Sequence, residues 1–375
     1  MFNVNRRIIA HFDYLIILTT LPIILISLKL IYEVNPNLTI KQIIYISVTI
    51  FISLVIFLIP IKRFFWLIPF YYWLIIILLV SVEFFGVTKY GAQRWIEIPF
   101  INISLQPSEF IKSALILMLA YNISNDPPPK DGYKLKGFLK HSFFILLPVI
   151  LVKIQPDLGT SILIFIMGYG VLFLVGIHKK ILAAIATIVA IMLIAIPIIM
   201  PIINNYLHAY QLNRIEQFLS PKPQYQVQQS MIAIGSGGFF GKELENATQA
   251  QLNFLPVPES DFIFPYLMER FGLLGAIVIL FLYGLLILHL LILSYTHKKD
   301  RILQVLSASI GFLLFIHVSV NILMTIKLAP VVGVPLPFLS YGGSSFLTFG
   351  VLFALLQNLL AFRFVFEYNS SPFAK

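Results

Sequence analysis

The sequence predicts an all-α polytopic membrane protein, and three observations carry the prediction. Only 11% of the 375 residues are charged, against about 25% in a soluble domain. Hydrophobic residues make up 59% of the chain, with 34 Phe and 17 Tyr, and mean hydropathy is +0.92. Apolar runs of the roughly 20 residues that a bilayer core requires recur along the whole chain. This composition excludes an ordinary soluble enzyme, a disordered chain and a nucleic-acid-binding protein. The absence of Cys removes disulfides, thiol nucleophiles and Cys-based metal sites.

The apolar runs predict about ten transmembrane helices, at 14–32, 43–60, 64–85, 107–122, 141–155, 158–177, 181–203, 264–294, 302–326 and 344–362. They form a single integral-membrane domain over 1–375, with a large outer loop of about 204–263 between the seventh and eighth spans. The first apolar run lacks the small-residue site of a cleaved signal peptide, and further spans follow it.

Basic residues set the orientation. Arg6, Arg7, Lys62, Arg63, Lys130, Lys134, Lys136, Lys140, Lys179, Lys180, Lys298, Lys299, Arg301, Arg363 and Lys375 all fall on one side, 15 of the 26 Lys and Arg. Short loops rich in Lys and Arg face the cytoplasm. Both termini are therefore expected in the cytoplasm. The same surface also suits anionic lipid head groups. Acidic residues show the opposite bias, with eleven of the 16 at the outer side or outer-half depth. The chemistry is accordingly expected at the outer face. No nucleotide-binding loop is present: Gly241-Lys242 lacks the Ser or Thr that should follow.

Several spans are interrupted or polar where a plain anchor would not be. Pro22, Pro69, Pro148, Pro197 and Pro201 lie within the expected spans, and the fifth ends at Lys153 before Gln155-Pro156-Asp157. Broken helices at membrane depth are tolerated where they line a cavity. Glu109 and Lys112 share one helical face, with Pro107 and Glu109 suited to a helix start. Either they form an ion pair that packs the bundle, or they join Asp157 and Lys153 in a cavity. His317 and Asn321 read as hydrogen-bonded packing residues. In the outer loop, residues 231–234 suit an interfacial helix, and the glycines after them suit tight turns. Ser260 or Asp261 suits the N-cap of the eighth span.

Six segments carry a family resemblance: GAQRWI (91–96), LQPSEFIK (105–112), QPDLGTS (155–161), QSMIAIGSGGFFGK (229–242), TQAQLNFLP with DFIF (248–256, 261–264) and LPFLSYGGSS (336–345). In this order they resemble the SEDS family, the RodA/FtsW/SpoVE group of bacterial cell-wall proteins. The run PVVGVP (330–335) and the segment around Thr248 are closer to RodA, the elongation branch, than to FtsW, the division branch. The resemblance implies a ten-span fold and a peptidoglycan glycosyltransferase acting on lipid II and the growing glycan strand. It also implies a class B penicillin-binding protein as partner. It assigns the essential acid to Asp261 and places Arg94, Glu109, Lys112 and Asp157 in or beside a central cavity. Two departures stand out. Glu259 and Ser260 occupy the positions of the family's His and Thr, and Arg270 follows Glu269 where the family has a second Glu.

The implied reaction joins an α-linked donor sugar to an acceptor hydroxyl with inversion. It needs a carboxylate base, here Asp261, and positive charge for the departing pyrophosphate, here Arg94 and Lys112. Asp157, Glu109 or Glu259 offers oxygen ligands to Mg or Mn. Two other classes compete: a flippase or transporter for lipid-linked precursors, favoured by broken helices and buried charge, and an inactive scaffold for the transpeptidase, favoured by Glu259 and Arg270.

Overall fold

The computed structural model describes residues 11–89, 92–98, 103–155, 157–203, 223–252 and 254–363. Arg6, Arg7, Gly91, Pro156, Glu216, Asn253, Lys375 and the 204–222 part of the expected outer loop lie outside them. Each expected span corresponds to a helix: α1 Tyr14–Val34, α2 Pro36–Leu58, α3 Ile68–Phe85, α4 Pro107–Asn125, α5 Leu135–Ile154, α6 Leu158–Val175 and α7 Lys179–Ile203. A shorter helix, α8 Tyr225–Ser236, precedes α9 Ile263–Thr296, α10 Arg301–Thr325 and α11 Gly343–Ala361. Among the described residues, eight of these helices are long and apolar enough to span a membrane by composition, α3 being counted together with the 3-10 turn Ile61–Leu67 before it. The other two long helices are α4, which carries buried polar and charged side chains, and α7.

Local chemistry explains the helix boundaries. Asn35 both ends α1 and begins α2. Its N–H closes on the Ile31 carbonyl, its side chain accepts from Asn37 N, and Pro36 occupies the first helical position. Asn358 on α11 donates to the carbonyls of Ile56, Phe57 and Ile59, which the end of α2 leaves without helical partners. Pro22 and Pro148 lie inside α1 and α5, but Pro69 sits in the first turn of α3, where it breaks nothing.

The core runs along α4, α10 and α11. The spanning windows of α10 and α11 are 67% and 72% buried, against 11% for the peripheral α2. Apolar side chains such as Leu18, Phe51, Ile77 and Phe281 point away from the bundle, as a lipid-facing surface requires.

Three features depart from the sequence reading. Between α3 and α4 the chain forms a small antiparallel sheet, β1 Val87–Lys89, β2 Ala92–Ile98 and β3 Ile103–Leu105, in the order β1-β2-β3. Residues 231–234 belong to α8, which does not lie alone on the bilayer: Val227, Ser230 and Ala233 are buried and Ser230 Oγ donates to the Thr325 carbonyl at the end of α10. Finally, α9 is broken at Gly272, whose φ of 62° and ψ of −163° no helix accepts. The loop after α8 fills the break. Leu273 and Leu274 donate to the carbonyls of Gly238 and Phe239, and Lys242 N donates to the Glu269 carbonyl.

Candidate active site

The segment leading into α9, the small sheet and the loop before α11 meet at one end of the bundle around a cavity of about 1030 Å³. Arg94, Glu109, Asp157, Glu259, Ser260 and Asp261 line it. Of the seven site residues expected from sequence, these six converge.

Lys112 is the exception. Its side chain is 1% exposed and does not reach the cavity lining. The reason is helical spacing. Pro107 opens α4 and places Glu109 in its first turn, and Lys112, three residues on, folds beneath it with Nζ 2.7 Å from Glu109 Oε1. On its other side Lys112 Nζ lies 3.3 Å from His317 Nε2. His317 Nδ1 is 3.1 Å from the Pro335 carbonyl, which can only accept, so Nδ1 carries the proton and Nε2 receives the ammonium. Lys112 is therefore a buried counter-ion to Glu109 and not a direct partner for a ligand phosphate. Glu109 Oε2 is buried without a hydrogen-bond partner among the described residues.

Asp157 caps α6 by accepting from Thr160 N, and faces Arg94 of β2 at 3.4 Å. Gln106, between β3 and α4, reaches both Ser108 Oγ and Asp157 Oδ2. Lys153, expected at the depth of Asp157, ends α5 with an exposed side chain outside the lining.

Asp261 does not cap α9. The N-cap is Phe262, with no side-chain cap bond, so the capping role expected of Ser260 or Asp261 is not realised. Instead the backbone of 259–261 is held from behind by three donors. Tyr341 N bonds the Glu259 carbonyl, Ser340 Oγ the Ser260 carbonyl and Asn321 Nδ2 the Asp261 carbonyl. Asn321 also donates to the Val334 carbonyl at 2.7 Å. Gly333, at φ 69°, lets the 331–335 loop pass over the carboxylate; a Cβ there would stand 3.3 Å from Asp261 Oδ2. His317 and Asn321 are indeed hydrogen-bonded packing residues, but what they pack is the support of the cavity. Their polar partners are remote in sequence, so no local pattern could have revealed this.

Arg270 also acquires a role. It pairs with Glu33 of α1 through two guanidinium nitrogens, 2.7 and 2.9 Å from the carboxylate, and donates to the Lys242 carbonyl. At this departure from the family pattern Arg270 ties α9 to α1.

The residues do not form a protein-built cation site. Among the described residues no three His, Asp or Glu side chains converge on one point, and Glu109 and Asp157 already face Lys112 and Arg94.

A family model, FTSW_RODA_SPOVE, described as "Cell cycle protein", matches residues 5–364. The peptidoglycan glycosyltransferase MrdB of Helicobacter pylori is 47% identical over 369 residues, covering 98% of this chain and 95% of that protein. The enzyme of the same name from Escherichia coli K12 is 40% identical over 79% of this chain and 78% of its own length. A probable peptidoglycan glycosyltransferase FtsW of Coxiella burnetii is 33% identical over 82% of each. The Thermus thermophilus rod shape determining protein RodA shares the fold at a TM-score of 0.68 and 21% identity, over 94% of this chain and 98% of that one. A chain from a peptidoglycan synthase complex shares it at 0.79 and 22% over the same fractions. By the extent of the family match and of these relatives, the chain belongs to the FtsW/RodA/SpoVE family.

Proposed function

We propose that this chain is a peptidoglycan glycosyltransferase of the elongation branch that polymerises lipid II into glycan strands, with Asp261 as general base. The enzyme class rests on family membership and on the MrdB relatives, which are 40–47% identical where the FtsW relatives are 33–34%. The observation that supports the site is the placement of Asp261 in the cavity on a backbone gripped by Asn321, Ser340 and Tyr341, facing the same space as Arg94.

The acceptor hydroxyl gives its proton to the Asp261 carboxylate as its oxygen attacks the anomeric carbon of the donor sugar. The bond from that carbon to the pyrophosphate oxygen breaks on the opposite face, so the α-linked donor gives a β-linked product. Arg94 offers paired N–H donors to the departing pyrophosphate. Lys112 acts from beneath, fixing the Glu109 carboxylate through the 2.7 Å contact to its Oε1. Glu259 adds a second carboxylate to the cavity lining two residues from the base.

All ten long helices span the inner membrane in this reading, with both termini cytoplasmic and the cavity at the outer face, as the Lys and Arg asymmetry directs. The chain has no Cys, so Asn246→Cys provides one label site near the cavity end. Labelling from outside intact cells is expected, and labelling only from the cytoplasm contradicts the orientation. A class B penicillin-binding protein is the working partner, in line with the synthase complex whose chain shares this fold.

The test of activity is a gel assay with purified protein, lipid II in detergent, and the cognate transpeptidase present or absent. No flipping is needed in detergent, so polymer supports the enzyme, while its absence in both arms favours the flippase or scaffold. The scaffold has lost its main support, since Arg270 is accounted for by Glu33 and Glu259 lines the cavity.

A further inference from the structure

The charged residues account for only part of the cavity. Tyr45 of α2 and Tyr341 of the loop before α11 also line it, with ring centroids 6.2 Å apart and planes tilted by 52°. The Tyr45 ring is rigidly backed. A Cβ on Gly343 would lie 2.8–2.9 Å from three of its carbons, so the backbone of α11 rests against the ring and leaves no room for a side chain. About two helical turns further along α11, a Cβ on Gly350 would meet Thr49 Cγ2 at 2.1 Å. The two helices thus approach as closely as glycine allows, and that approach fixes where Tyr45 stands. Tyr341 is fixed by its own backbone, whose N–H bonds the Glu259 carbonyl at 2.8 Å, two residues from Asp261. Beside the rings, Ser345 Oγ lines the cavity, buried and without a partner among the described residues.

A pair of half-buried aromatic rings next to a buried hydroxyl suits a pyranose. The C–H face of such a ring lies on the electron-rich aromatic face, and its hydroxyls reach the polar groups around it. We propose that Tyr45, with Gly343 behind it, and Tyr341 form the subsite for the acceptor sugar ring and hold its reacting hydroxyl toward Asp261. The acceptor is assigned here because the base must reach its hydroxyl, and Tyr341 is tied to the segment that carries the base. The donor pyrophosphate goes to the Arg94 side. This subsite rests on the glycosyltransferase reading, and the two are tested separately.

Retention of labelled lipid II on the immobilised full-length chain, measured in the cold before polymer accumulates, reads the subsite, and polymer formation on warming reads the reaction. Tyr45→Leu is expected to weaken retention roughly ten-fold, while Tyr45→Phe and Tyr45→Trp keep it. Gly343→Ala displaces the ring without deleting it, so it weakens retention in the wild-type chain and adds nothing in the Tyr45→Leu chain. This second route holds if Tyr45→Leu folds poorly. Wild-type retention by Gly343→Ala and Tyr45→Leu overturns the subsite, as does equal loss in Tyr45→Phe, which would assign the effect to the hydroxyl. Loss of retention in Tyr45→Leu with no polymer from any chain keeps the subsite and removes the reaction.

Discussion

At the cavity end of the bundle, Arg94 with Asp157, Lys112 with Glu109, and Arg270 with Glu33 pair with no side chain more than 13% exposed. At the basic end, Lys62 with Asp300 and Lys140 with Asp126 leave 24% to 57% of each side chain exposed. The backbones differ in the same way. The basic end is made of regular helices closed by caps such as Asp300 on α10, whereas the cavity end has a small sheet, a broken α9 and an extended loop over Asp261. Exposed pairs contribute about 0–1 kcal/mol, and their positions are better explained by topology. Buried pairs cost much desolvation and add little net stability, so the two that contribute side chains to the cavity lining, Arg94 with Asp157 and Glu109 with Lys112, point to function.

Removing one partner at the cavity end should give the largest change. Lys112→Met leaves Glu109 buried and unpaired and should cost about 3–5 kcal/mol, read by thermal unfolding in detergent. Adding Glu109→Gln should recover most of that stability. If it also restores full polymerisation, the pair serves packing alone. A single-variant loss below about 1 kcal/mol would mean the pair is solvated, and the contrast between the two ends would break.

Asn321→Ala tests the neutral support. It strips the Asp261 and Val334 carbonyls of their donor and should cost about 1–3 kcal/mol. Activity should fall further than that loss explains, measured below the unfolding transition, because the base shifts with its backbone. Activity equal to wild type at such temperatures would reduce Asn321 to packing.

The smallest effect belongs to the basic end. Lys140→Ala should change stability by no more than about 0.5–1 kcal/mol and leave polymerisation unchanged. A larger loss would show that the exposed pairs matter as much as the buried ones.

The same contrast explains what the sequence could reveal. Helices spanning lipid announce themselves by apolar runs, and α1 to α7 and α9 to α11 each overlap an expected span, although α2 starts at Pro36 and α5 at Leu135, ahead of the apolar runs at 43 and 141; Asn35, Pro36 and Pro107 mark starts locally. Arg94, Asp157 and Asp261 were legible through family motifs. What was illegible depends on contacts between distant segments. Glu33 meets Arg270 across 237 positions, Lys112 meets His317 across 205 and Tyr341 meets Glu259 from beyond both α9 and α10. The strands β1 and β3 have three residues each, too short for a period-two pattern. The inward turn of Lys112 follows from the spacing with Glu109, yet sequence alone left open which of the two would face the cavity.

The central claim is that Asp261 takes the acceptor proton, and Asp261→Asn tests it most directly. The change keeps shape, the backbone bonds from Asn321 and most side-chain hydrogen bonding, but removes the proton acceptor. Purified Asp261→Asn should retain lipid II and unfold at the wild-type temperature while its turnover falls roughly 10²–10⁴-fold. Polymerisation of lipid II by Asp261→Asn at the wild-type rate would contradict the account.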